Sequence, residues 1–229
     1  VTLAVIVPSR GRPQNIQRLA QAWTDTNAQA DVIVAVDDDD PTRADYYDAI
    51  QTHPRFDLTV RPRLRMGGTL NAVARNACRT WDHLGFLGDD HYPRTDRWDQ
   101  QVTTELDRLR TGIVYGNDLL QGERLPTAFF LTANVVRTLG WMAPPGLTHL
   151  FIDDATLALG RALDAITYLP DVVIEHLHPI AGKATEDDGY REANAPDVWQ
   201  HDKDVFTRWR DEQLTVDVAR IKEAACASL

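Results

Sequence analysis

Cysteine is almost absent: Cys78 and Cys226 are the only two in 229 residues, and they form no CxxC pair. That excludes a disulfide framework and points to a reducing, cytoplasmic setting. Long apolar runs are missing too, and none approaches the ~20 residues a membrane span needs. The apolar opening, Val1 to Val7, is too short for a signal peptide and has no basic flank. Positive charge is scarce, with 24 Lys and Arg against 34 Asp and Glu, a net charge of -10. This argues against broad electrostatic binding to nucleic acid or anionic lipid, and a nucleic-acid acceptor is not favoured. It leaves room for an anionic small ligand, because carboxylate clusters bring their own cation. Neither GxGxxG nor a Walker A pattern occurs. No histidine precedes His53, which counts against a hydrolytic or phosphoryl-transferring metalloenzyme with ligands spread through the first half.

What remains is an ordinary soluble composition, 43% hydrophobic, long enough for one domain with a full core. The stretch Phe86-Leu87-Gly88-Asp89-Asp90-His91 organises the rest. An apolar run from Leu84 stops at Gly88, and two carboxylates and a histidine follow. This fits a buried strand ending in a loop with hard oxygen ligands. A cation held there could hold a diphosphate; a turn with two solvated aspartates fits the same residues.

Other strand ends share this character. Thr2 to Val7 reads as a first strand, ended by Pro8-Ser9-Arg10-Gly11-Arg12, with Pro13 opening a helix. Loop amides, a helix N-terminus and two arginines favour an anion. Asp31 to Val36 is a second strand running into four aspartates. Asp40 is expected to cap the next helix with Pro41 at its first position, while Asp37 or Asp38 could accept from a base N–H or a ribose hydroxyl. After a short strand at Leu58 to Val60, Thr69 is expected to cap a helix bearing Leu70, Val73, Ala74 and Ala77. Tyr92-Pro93 is expected to turn the chain. Helices are expected around Trp98 to Leu109, Asn134 to Leu139 and Leu157 to Leu163, with strands at Ile113 to Tyr115, Thr127 to Leu131 and Val172 to Ile174. Asp153 and Asp154 begin a helix, where acidic capping is one reading. His176 and His178 share one face of an extended segment, as metal ligands or as a packing pair. Gly182 to Tyr190 is polar enough for a lid, and two C-terminal helices follow from His201. The order is that of a mainly parallel α/β sheet flanked by helices.

The series VIVPSRGRP, VIVAVDDDD, GGTLNAVARNA, FLGDDH, FIDD and EHLHP resembles a nucleotide-diphospho-sugar glycosyltransferase of the GT-A (Rossmann-like) fold, closest to the family-2 type. The resemblance spans roughly Val1 to Tyr190. It implies one domain over 1–229, with a nucleotide-binding half (1–115), an acceptor and catalytic half (116–190) and a helical extension (191–229). It implies nucleoside binding by Pro8, Ser9, Arg10, Arg12, Asp37 and Asp38, and by Gly68, Asn71 and Arg75. Gly88-Asp89-Asp90 matches the DXD motif, so Asp90 is expected to hold Mn²⁺ or Mg²⁺ and Asp89 to contact ribose or metal. Gly88 replaces the first Asp, and His176 or His178 is expected to complete the ligands. The family's catalytic pair matches Asp153-Asp154, with Asp154 as base. Asn117, Asp118 and Trp141 are expected on the acceptor side and Lys183 at the phosphates. The implied activity is hexosyl transfer from a nucleotide sugar, most commonly a UDP-sugar, to a hydroxyl acceptor with inversion. The alternatives are a non-catalytic nucleotide- or sugar-binding module, which Gly88 favours, and a sugar nucleotidyltransferase, whose Gly-rich first loop PSRGRP lacks.

Overall fold

The structure is a computed structural model and describes residues 2–178, 182–183 and 186–227. Strands β1 (Leu3–Ser9), β2 (Asp31–Asp37), β3 (Phe56–Arg61) and β4 (His83–Phe86) alternate with helices α1 (Pro13–Asp25), α2 (Arg43–Ile50) and α3 (Arg65–Ala77). β5 (His91–Pro93), α4 (Trp98–Leu109), β6 (Ile113–Asn117), β7 (Phe129–Thr132), α5 (Ala133–Leu139), α6 (Ile152–Leu163) and β8 (Ile166–His176) follow. The chain continues with α7 (Asp188–Ala193), α8 (Pro196–Arg208), a π-helical turn at Trp209–Gln213 and α9 (Leu214–Ala227).

The sheet order is β3-β2-β1-β4-β7-β6-β8-β5. The first four strands are parallel. β7 then runs antiparallel to both β4 and β6, and β5 antiparallel to β8, so the sheet is mixed. Strand alternation splits the core in two. Leu3, Val5 and Val7 pack with Trp23, Tyr46 and Trp98 beneath α1, α2 and α4. Ala4 and Ile6 face the opposite way, with Leu70, Leu139, Leu159 and Ile221 beneath α3, α5, α6 and α9. Among the described residues no helix is long and apolar enough to cross a membrane.

Several local expectations are corrected. α2 starts two residues after Pro41, because Asp40 is spent elsewhere: its buried carboxylate accepts from Gly11 N, Thr42 N and Thr42 Oγ1. α3 starts at Arg65, so Thr69 lies inside it rather than capping it. Gly67 is required there, since a Cβ would stand 2.1 Å from Leu147 O. Tyr92-Pro93 is not a turn but part of β5, paired with Ile174 and Glu175. The polar stretch after Lys183 includes a helix, α7, capped by Asp187, whose side chain accepts from Tyr190 N. The two C-terminal helices expected from His201 are α8, which begins earlier at Pro196, and α9. Pro179 of the EHLHP series and residues 184–185 of the polar stretch lie outside the described residues.

Candidate active site

The carboxyl ends of β1, β2 and β4 open onto a cavity of about 810 Å³, closed on its other sides by the 149–153 loop, β8 and α7. This is where an open α/β sheet places ligands. Gly11 turns the β1 loop at φ +68°. Arg12 N donates to Tyr46 Oη at 2.9 Å. Ser9 Oγ donates to Asp89 at 2.6 Å and lies 3.0 Å from Tyr46 Oη. The serine's one proton goes to the carboxylate, so the tyrosine donates to the serine.

Arginines meet carboxylates across the cavity. Arg12 Nη1 reaches Asp89 at 3.1 Å, and its Nε and Nη2 both reach Asp187 at 2.7 Å. The hydrogen bonds to Asp187 outweigh desolvation and raise the Arg12 pKa further. Arg10 Nη1 reaches Asp37 at 3.0 Å. Arg63 and Arg65 both pair with Glu192 of α7. Burial raises the Asp37 pKa although Arg10 opposes it. Burial also raises Asp89, with Arg12 opposing and Asp90 adding repulsion.

The centre of the cavity is a cluster of Asp90, His91 and His176, whose ligand atoms all lie within 4.8 Å of one another. His91 and His176 are direct partners across β5 and β8, and their rings stack with centroids 3.9 Å apart. His91 Nδ1 lies 3.1 Å from Asp90 Oδ1 and His176 Nε2 3.3 Å from Oδ2. Burial works against charge on Asp90, but hydrogen bonds from His176 and His91 hold its carboxyl well below the usual range. Burial, then His91, pulls His176 down and keeps it a neutral imidazole, the form that binds metal. The donor set fits a divalent ion: one carboxylate and two imidazoles converge, and His176 Nδ1 is buried without a hydrogen-bond partner. Gly88 belongs to the same geometry. A Cβ there would stand 2.6 Å from Asp90 Oδ1 and 2.8 Å from His91 Nδ1. His91 thus occupies the space that a side chain at position 88 would need.

Phe151, the residue just before α6, is a non-glycine residue at φ +62°, a conformation that costs roughly 1–2 kcal/mol. Asp153 lines the cavity and Asp154 does not. Burial, then the adjacent Asp154, raises the Asp153 pKa to about 6.

The expected residues therefore divide. Pro8, Ser9, Arg10, Arg12, Asp37, Asp89, Asp90, Asp153, His176, His178 and Lys183 line the cavity. Lys183 Nζ also pairs with Glu175 at 2.7 Å, and His178 stands edge-on to His176. Eight do not line it. Asp38 is solvent-facing, its carbonyl taken by Arg43. Gly68 sits within α3. Asn71 is buried and brackets the next loop, accepting from Met142 N and Ala143 N and donating to Ala143 O. Arg75 Nε donates to Gly140 O. Asn71 and Arg75 shape a loop, and none of the three α3 residues lines the cavity. Asn117 accepts from Leu119 N, and Asp118 Oδ1 accepts from three successive amides. Trp141 is buried edge-on against Trp209, in the core rather than on a sugar. Asp154 is the eighth.

Sequence reasoning assigns no role to His91, His149, Arg63 and Arg65, all on the cavity. His91 was in view beside the two aspartates, and its three-residue strand is too short to show which way it faces. His149 carries no pattern, and burial lowers its pKa.

No family model matches this chain, and no curated protein matches it. Solved structures do. One is a mannosyltransferase, PcManGT from Pyrobaculum calidifontis, in complex with GDP-Man and Mn²⁺: TM-score 0.61, 14% identity, covering 99% of this chain and 74% of that one. Another is TarS 1–349 of S. aureus in complex with UDP: TM-score 0.59, 12% identity, 94% and 73% covered. A third is glucosyl-3-phosphoglycerate synthase from Mycobacterium tuberculosis with Mn²⁺, UDP and glucosyl-3-phosphoglycerate: TM-score 0.59, 13% identity, 91% and 79% covered. At these identities the likeness is one of fold, and the fold is GT-A.

Proposed function

We propose that this chain is a metal-dependent glycosyltransferase of the hexosyl type, moving a sugar from a nucleoside-diphosphate donor to a hydroxyl acceptor. The observation that carries the reading is one cavity with a His/Asp metal cluster, a set of arginines and a carboxylate tuned near neutrality. The solved structures of this fold with UDP or GDP-Man bound support the donor class.

Ser9, Arg10 and Asp37 would hold the nucleoside. Arg12, Lys183 and the arginines of the α3 approach are the cations for the diphosphate. Asp90, His91 and His176 would hold the ion, with His178 beside them. Two imidazoles weigh the choice toward Mn²⁺ over Mg²⁺. When bound, the ion supplies Lewis-acid stabilisation of the departing β-phosphate. Asp153, not Asp154, would take the proton from the acceptor hydroxyl. Its pKa suits a base at neutral pH, and one carboxylate acting by in-line attack gives inversion.

The test is thermal-shift and calorimetric titration with nucleoside diphosphates and nucleotide sugars, with and without Mn²⁺. Metal-dependent stabilisation by one nucleotide, lost in Asp90→Ala, is expected. Silence across the whole panel would leave the fold and remove the function.

A further inference from the structure

Resting on the metal-site reading above, we propose that Thr127 and Asp118 are positioning residues for the metal centre. They form a carboxylate–hydroxyl–imidazole relay that fixes the His91 ring with Nε2 toward Thr127 and Nδ1 toward the ion. Asp118 is buried, and its Oδ1 takes backbone N–H groups from Leu120, Gln121 and Gly122. Its Oδ2 is left for Thr127 Oγ1 at 2.8 Å. A carboxylate accepts, so the single threonine proton points to Asp118. Only lone pairs of Thr127 Oγ1 then face His91 Nε2, 3.4 Å away. Nδ1 faces Asp90 Oδ1 at 3.1 Å, so an ion held there would lie against both. With an ion on Nδ1 the ring proton would sit on Nε2, where Thr127 accepts it. Asp118 also grips the other histidine strand, because its carbonyl accepts His176 N at 3.0 Å. Partners of this kind orient ligating histidines and raise their basicity. Both residues sit in the β6–β7 connection, away from the strands that carry the ligands.

The experiment is calorimetric titration of the apo protein with Mn²⁺ alone, for wild type, Thr127→Val and Thr127→Ser. A ¹⁵N spectrum of the His91 ring in the wild type loaded with Zn²⁺, a diamagnetic stand-in for Mn²⁺, accompanies it. Thr127→Val should weaken Mn²⁺ binding roughly 10- to 100-fold, and Thr127→Ser, which keeps the hydroxyl, should restore it. The spectrum should show the Nε2–H tautomer. Wild-type Mn²⁺ binding that is indifferent to Thr127→Val, or an Nδ1–H tautomer, overturns the relay and leaves the metal site standing. No Mn²⁺ binding by wild type overturns the metal site itself. Should Thr127→Val fail to fold, the wild-type tautomer decides alone.

Discussion

Gly88 shows how much depends on one missing methyl group. Gly88→Ala puts a carbon into the space between Asp90 and His91. The expected result is a loss of roughly 1–3 kcal/mol in stability together with loss of Mn²⁺ binding, read by denaturation and calorimetry on the same preparation. Asp153 makes the opposite case, a group whose native setting costs stability. Its folded pKa of about 6 exceeds the ordinary carboxylate value, so the native state favours the proton. Its contribution is fully present below the unfolded pKa and is lost as pH rises through about 6. Asp153→Asn should therefore melt higher than wild type at pH 8, by up to roughly 1–3 kcal/mol, and match it near pH 4. The same variant should lose turnover about 10²–10⁴-fold while still binding nucleotide, and wild-type rate should fall on the acid side of pH 6. Full turnover in Asp153→Asn with loss in Asp154→Asn would return the base to Asp154. The sequence made the aspartate pair legible but not which member faces inward, because that choice is set by the left-handed backbone at Phe151, a bulky residue with no propensity for it.

Elements were legible in proportion to their apolar length. β1, β2 and β4 announced themselves as apolar runs stopping at Ser9, Asp37 and Gly88. β5 could not, having three residues and no pattern. The first half of β8 hid for a different reason: Ile166 to Asp171 lies partly exposed, and only Val172 and Ile174 are fully buried. The sheet's mixed pairing was hidden too, since direction is not written in a strand's composition. Asp202 of α8 is the least expected contributor. It is fully buried and accepts from Thr148 N, Thr148 Oγ1, His149 N and Leu150 N. Gly67 N holds Thr148 O from the other side. The loop that ends at Asp153 is thus clamped between α3 and the C-terminal segment. Asp202→Ala leaves four donors without their acceptor and should cost on the order of 3 kcal/mol. Hydrogen exchange should rise first in the 146–152 segment; unchanged exchange there would show that α3 alone holds the loop.

Over the whole molecule, α7 and its capping residue connect the β1 and β3 ends to the C-terminal segment through charge. Asp187 and Glu192 occupy the guanidinium groups of Arg12, Arg63 and Arg65, so under the proposed function a diphosphate would compete with the protein's own carboxylates. Asp187→Asn should tighten nucleoside-diphosphate binding several-fold, by isothermal titration at fixed Mn²⁺; weaker binding would mean that the pair holds Arg12 in its working position. The pairing of β5 with β8 reaches further. His91 and His176 meet because two segments far apart in the chain dock antiparallel in one register, and a slip of one residue turns His91 to the other face. An ion bound to both would be a removable crosslink across a long loop, and it would narrow the chain's freedom only while it bridges the two strands. Chelation would then act as a proofreader of topology: only a chain that has seated its last strand correctly can close the coordination sphere, and metal uptake during refolding would mark the moment at which the sheet is complete.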